Sequence, residues 1–330
     1  MQWLKNFIQN YQRRFKINYI EYINKLIRNS VKKEKEIVLY GQNISAGSCI
    51  SGLTKGLEVN DHSKIINTPN SENSLVGFGF GLLLNGVNSI FFMKQLDFLF
   101  LGIDQLTNTY NYIRTIQPKA SFTIIPVIVD SGYEGMMAST NNLSDFCAIS
   151  KIPGYTISNQ IDSMCIMKDH LIAPGFRIIG VSQRLFKKPL LLEDSSIKYS
   201  FKENIFQYAE GNDLTIVCFN LSFPQSFNLV TKLKKRGITS SLFSVNRAYL
   251  GNYSSIIKDV EKTNNIVVID DSKSDNKLFH PLLTSIYEKT KPKFVDIITR
   301  KLTDDQYVPN PDIFDIKSDD IINRFIKSSK

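Results

Sequence analysis

The stretch Ile65-Ile66-Asn67-Thr68-Pro69-Asn70-Ser71-Glu72-Asn73, running on into Gly77-Phe78-Gly79-Phe80-Gly81, decides how this chain is read. A short β-branched run meets a Pro-containing turn, and one carboxylate then opens an apolar helix punctuated by glycines. The order is strand, turn, acid, close-packed helix. An acid in the first helical turn is favoured by the macrodipole whatever else it does. Gly77 and Gly81 stand four apart, so they fall on one helical face and let another helix come close. The run lacks G-x-G-x-x-G spacing and lies inside the helix instead of forming the turn that opens it, so a dinucleotide-binding loop is excluded.

Outward from this stretch, apolar strands alternate with amphipathic helices along most of the chain. Residues 36–40, 89–92 and 122–129 read as buried parallel strands, and residues 19–29, 73–84 and 98–116 as helices. After a polar segment at 200–212 a second set begins, with strands at 214–219, 265–269 and 293–298 and helices at 225–236 and 254–263. Residues 304–330 read as an extended, Pro-containing arm closed by a short helix. The fold class is therefore α/β, with two open α/β domains at 17–205 and 206–330 after an N-terminal extension at 1–16.

Bulk composition narrows the function classes. With 42% hydrophobic and 22% charged residues the chain has the make-up of a soluble globular protein, and no apolar run is long enough to cross a bilayer. Its four cysteines and three histidines are scattered without metal-ligand spacing, which points to free thiols in a reducing compartment. The net charge of +9 is concentrated in residues 1–16, in Lys32-Lys33 and in Lys232-Leu233-Lys234-Lys235-Arg236, with no nucleic-acid motif attached. Trp3, Leu4, Phe7, Ile8 and Tyr11 recur at helical spacing, giving a basic amphipathic helix whose partner is another protein surface or, less simply, a membrane surface. No secretion signal is evident, so the expected location is cytoplasmic, or the mitochondrial matrix in a eukaryote.

The opening stretch resembles the "DTP-x-x-E" segment of the beta subunits of thiamine diphosphate-dependent 2-oxo acid dehydrogenases, members of the transketolase-like family. Further segments carry the same resemblance. Glu36 to Asn43 stands where that family has a strand ending in "GED", and Gly52-Leu53-Thr54-Lys55-Gly56-Leu57 is similar to its "vT-x-GL" segment. Residues 97–106 match its "DF…DQ" helix, Ile152-Pro153-Gly154 its "PGL" turn and Pro189 to Glu193 its "PVVxLE" strand. The resemblance implies a transketolase-like pyrimidine-binding domain followed by a transketolase C-terminal-like domain. It implies that Glu72 is the catalytic carboxylate, bonded to the aminopyrimidine of thiamine diphosphate and driving its tautomer shift. Phe98 would stack on that ring, Gln42 would join the cofactor site, and Gly77 and Gly81 would lie at a subunit interface. A buried acid suits the task because burial tunes its proton affinity.

The same resemblance implies what must come from elsewhere. No "GDG" motif of the kind that clamps Mg²⁺ on the diphosphate occurs in the chain, so an alpha-type partner subunit would supply it, in an α2β2 assembly joined through paired beta chains. Where the family has a histidine before its "PGL" turn, this chain has Asn141 or Thr140, and an amide can orient a substrate without shuttling protons. Gln42-Asn43 replaces the acidic pair, and residues 171–181 read as an insertion before the Pro189 strand. The expected activity is that of a beta-type subunit acting on a 2-oxo acid or ketose, by decarboxylation with acyl transfer or by ketol transfer. A non-catalytic scaffold or regulatory paralogue is the alternative.

Overall fold

The computed structural model describes residues 17–133, 135, 139–192, 200–202, 205–249, 251–300 and 313–328. The expected basic helix at 1–16 and most of the Pro-containing arm lie outside these residues.

Helix α1 (Tyr19–Val31) starts at a capping box: the Asn18 side chain accepts from the Glu21 amide at 2.9 Å, and the Glu21 carboxylate accepts from the Asn18 amide at 3.0 Å. Strands β1 (Ile37–Gly41) and β2 (Lys64–Asn67) follow, then helix α2 (Glu72–Leu84) and strand β3 (Asn88–Met93). After an irregular helical segment come α3 (Tyr110–Ile116), β4 (Ser121–Ile128), α4 (Leu143–Ile149), β5 (Gly154–Ile157), α5 (Gln160–His170) and β6 (Gly175–Ser182). These strands form one six-stranded parallel sheet in the order β2-β1-β3-β4-β6-β5. β1, β4 and β5 are buried along their whole length, as strands covered on both faces must be.

The second sheet is built from β7 (Ser200–Lys202), β8 (Ile205–Ala209), β9 (Leu214–Phe219), α6 (Phe223–Lys235), β10 (Ser240–Val245), α7 (Ser254–Thr263), β11 (Asn265–Asp270), α8 (His280–Lys289) and β12 (Phe294–Thr299). Its order is β12-β11-β9-β10-β8-β7, parallel from β12 to β10, with β8 antiparallel to β10 and β7 antiparallel to β8. Helix α9 (Ser318–Ser328) closes the chain, tied to β12 by Arg324 and Asp296 at 2.6 Å. One apolar cluster runs from α1 through Leu39, Phe92 and Ile179 into Phe206, Leu214 and Ile216, so the two sheets share a core.

Three expectations are corrected. The expected helix at 98–116 is broken into a tight 3₁₀ segment (Leu96–Gly102), a wide turn (Gln105–Thr109) and α3. Leu96, Leu99 and Gly102 are buried at a spacing of three, which a 3₁₀ segment places on one side, and the Thr107 hydroxyl bonds back to the Ile103 carbonyl at 3.0 Å. Residues 171–181 are no insertion. They lead into β6, which pairs with both β4 and β5 inside the sheet. The expected domain division at 205/206 falls within β8, because the polar segment forms a hairpin that pairs onto β10.

Candidate functional site

The turn before Glu72 is held on the carboxyl end of the first sheet. The Thr68 amide donates to the Gly41 carbonyl at 3.1 Å, and Asn67 exchanges two hydrogen bonds with Ser45. Chain direction then reverses, and α2 begins at Glu72 with its amino end, the positive end of the helix dipole, at this edge. Glu72 is only 8% exposed, yet among the described residues no hydrogen bond reaches its carboxylate.

Helix α2 lies close on the sheet because of a glycine that spacing alone did not single out. A Cβ at Gly79 would run into the Phe122 ring and the Tyr40 hydroxyl, and that hydroxyl donates to the Leu75 carbonyl at 2.9 Å. Gly77 faces the Gln105 side chain of the same chain, while Gly81 looks onto open space. Phe78 and Leu84, on the same helix, are exposed at 43% and 49%.

Phe98 sits on the 3₁₀ segment that follows β3 and is half-buried against the cluster under α2. Gly102 of that segment lies on the first turn of α2, where an added Cβ would be 3.6 Å from the Glu72 carbonyl oxygen and 3.0 Å from Val76. The segments bearing Glu72 and Phe98 are thus packed together beyond the carboxyl ends of β2 and β3, the end of an open α/β sheet where ligands gather.

Asp97, beside Phe98, went unassigned in the sequence. It is fully buried, and its Oδ1 accepts from both the amide and the hydroxyl of Thr140, while its Oδ2 has no hydrogen-bond partner among the described residues. Burial pushes its carboxyl up from the usual range, opposed by the Thr140 bonds and by Lys273. Thr140 therefore belongs to the Phe98 side of the site. Asn141 does not. It is 0% exposed, its Nδ2 donates to the Asp271 carbonyl at 3.0 Å, and its Oδ1 accepts from Asn220 at 2.8 Å. Its amide joins the two sheets and is out of a substrate's reach.

Asn141 enters a buried polar junction. Asp130 and Asp271, both 0% exposed, each lie 3.2 Å from Arg184 Nη2, and Asp271 Oδ1 also accepts from Asn220 and from the Leu221 amide. Arg300 donates to the carbonyls of Asp271 and Asp130 at 2.6 and 2.5 Å. On the far side of β5, Asp162 accepts from Ser158, Asn159 and Asn246, yet burial still pushes its carboxyl up to about 6.

Gln42 directly follows β1. It lines a cavity of about 160 Å³ at the carboxyl ends of β1, β3 and β4, with Lys94, Gln95 and Gln183, and neither Glu72 nor Phe98 reaches that lining. A hollow of about 410 Å³ bounded by Tyr110, Arg114 and Phe176 lies at the opposite end of the sheet.

No family model matches the chain. It is similar to the pyruvate dehydrogenase E1 component subunit beta of Staphylococcus aureus, 21% identical over 270 residues, which span 77% of this chain and 79% of the relative. It is likewise similar to the 2-oxoisovalerate dehydrogenase subunit beta of Bacillus subtilis, 20% identical over 280 residues (82% and 84%). The acetoin:2,6-dichlorophenolindophenol oxidoreductase subunit beta of Cupriavidus necator is 21% identical over 266 residues (76% and 78%). Among solved structures, a split-gene transketolase described as an inactive beta4 tetramer superposes with a TM-score of 0.70, covering 95% of this chain and 98% of its own at 14% identity. Fold and relatives agree with the resemblance read in the motifs: the chain has a transketolase-like fold and is similar in sequence to the beta subunits of the 2-oxo acid dehydrogenases.

Proposed function

We propose that this chain is the pyrimidine-holding, beta-type half of a two-chain thiamine diphosphate enzyme that acts on a 2-oxo acid or a ketose. The observation that carries this reading is Glu72: a carboxylate buried at the start of α2, without a hydrogen bond among the described residues, beside the segment that bears Phe98. These residues fit the cofactor's aminopyrimidine, which needs one buried acid at a ring nitrogen and one aromatic face. When bound, thiamine diphosphate supplies a carbon nucleophile for the substrate carbonyl.

The residues of this chain have simpler tasks. The Glu72 carboxylate is assigned to hold a proton at the pyrimidine ring nitrogen and take it back. Phe98 offers a stacking face of the kind aromatic rings prefer. Asp97 holds Thr140 at the edge of the site. The Mg²⁺ and diphosphate contacts are assigned to an alpha-type partner, since the chain carries no "GDG" clamp. The glycine face of α2, with Phe78 and Leu84 exposed beside it, is the surface assigned to subunit association, in an α2β2 arrangement. Oxidative decarboxylation with acyl transfer and ketol transfer both remain within this reading. The dehydrogenase beta subunits among its relatives support the first and the transketolase structure the second.

The test is proton exchange at the reactive carbon of thiamine diphosphate in the assembled two-chain complex, followed by NMR. Glu72→Gln should slow exchange by ~10²–10⁴-fold with the fold intact, the range typical of a positioned acid–base group. Unchanged exchange in that variant would remove Glu72 from the mechanism. No exchange even in the unmutated complex would identify a non-catalytic scaffold.

A further inference from the structure

We infer that the crevice between the carboxyl ends of β1 and β3 is a second binding site, for a small oxyanion. In the order β2-β1-β3-β4-β6-β5 the chain leaves β1 toward β2 on one side and returns to β3 on the other. Loops that diverge in this way open a crevice at the carboxyl end of an α/β sheet, and ligands bind there. The cavity of about 160 Å³ lies in that crevice, with Gln42 from the end of β1 and Lys94 and Gln95 from the end of β3 in its wall. At ~30 Å³ for each water, the space takes a phosphate or a three-carbon carboxylate with a water or two, and no nucleotide.

The lining gives the chemistry. Lys94 is exposed and has no carboxylate partner among the described residues, and it stands among amide and hydroxyl groups from Gln42, Gln95, Gln183, Ser48 and Ser51. Among the described residues, no aspartate or glutamate lines the cavity. Asp130, whose partners Ser182 and Arg184 flank Gln183 of the wall, accepts from Ser182 at 2.6 Å and from the Arg184 amide at 2.9 Å and is paired with the Arg184 guanidinium at 3.2 Å. One ammonium among amide and hydroxyl side chains, with no acid among the described lining residues, suits a carboxylate or phosphate group.

Backbone strain at the rim supports the assignment. Cys49, Ile50 and Ser51 all have left-handed φ values of 48°, 50° and 55°, a region that a β-branched residue such as Ile50 rarely enters. This strained turn is what brings Ser48 and Ser51 to the cavity mouth, with the Ser51 amide donating to Ser48 Oγ at 3.3 Å. Strain of this kind persists where the surroundings over-determine it and clusters at ligand clamps. The site does not depend on Glu72.

Titration calorimetry on the full chain, with inorganic phosphate and with pyruvate as separate probes over a chloride background, tests the inference. Saturable one-to-one binding of at least one probe is expected, and which one binds tells a phosphate ligand from a carboxylate one. Lys94→Met, at an exposed position, should weaken it by about tenfold or more, as loss of a charged hydrogen bond does, and Lys94→Arg should restore most of it. Glu72→Gln should leave it unchanged, so failure of the cofactor reading and failure of this one are told apart. No binding of either probe beyond the chloride control, or equal binding by Lys94→Met, overturns the site.

Discussion

Arg184→Met is the most informative single change in the buried junction, because one guanidinium there serves two carboxylates. Its Nη2 lies 3.2 Å from both Asp130 and Asp271 and also donates to the Leu221 carbonyl at 2.9 Å. Methionine keeps much of the apolar stem and deletes the charge. Arg300 stays nearby and donates to the Asp271 and Asp130 carbonyls. Removing one partner of a buried ion pair costs ~3–5 kcal/mol, because it leaves charge buried and uncompensated. The sign of the pH dependence follows from Asp130. Burial and Asp271 already push its carboxyl up, and Arg184 holds it down. Without Arg184 it rises further, so between the usual carboxylate range and the new folded value the native state carries an extra proton. A group whose folded pKa is raised loses stability as pH climbs through that value. The penalty of Arg184→Met should therefore be several kcal/mol at pH 8 and clearly smaller at pH 5. Urea unfolding followed by far-UV circular dichroism at the two pH values, at matched ionic strength, measures it. A penalty below about 1 kcal/mol at pH 8, or one independent of pH, would refute the assignment of Arg184 as the counter-charge of this junction.

Asn141→Leu should destabilise the chain by ~1–3 kcal/mol, the cost of losing two buried hydrogen bonds and leaving Asn220 with only Asp271 Oδ1 and the Asp271 carbonyl with only Arg300. Combined with Arg184→Met it should be non-additive in a denaturation cycle, since both residues bond Asp271. Gly79→Ala should cost ~1–3 kcal/mol or more by overpacking against Phe122 and Tyr40, read as a fall in the thermal midpoint. Gly81→Ala should leave the lone chain as stable or ~0.5–1 kcal/mol more so, because its Cβ meets open space in a helix; weaker association in sedimentation would place that face at a subunit contact. Burial pushes the Cys218 thiol up to about 12 and raises that of Cys147 as well, so at pH 8 a thiol reagent should reach both only after unfolding.

How much of this was legible in the sequence depends on the range of the forces involved. Glu72 could be read because its neighbourhood is local: a β-branched strand, a proline turn and a glycine-spaced helix are each written within a dozen residues. Strand β6 was hidden because Arg177 and Gly180 interrupt its apolar run, and Arg177 is tolerated there only through bonds to Thr123 and to the Pro174 carbonyl, made after folding. The break in 96–116 reflects a burial spacing of three in a stretch whose composition otherwise suits an ordinary helix. Asn141 shows the limit most clearly. Its distance from the Pro153 turn pointed to a substrate role, yet its partners Asn220 and Asp271 lie 79 and 130 residues away, and no local pattern encodes them. The consequence is mechanical. Ser139, Thr140 and Asn141 form one short run whose middle is gripped by Asp97 beside Phe98 and whose end is gripped by the second sheet. A shift of the second sheet at Asp271 must therefore be felt at Thr140, which makes the buried junction the frame of the site as well as the seam between the sheets.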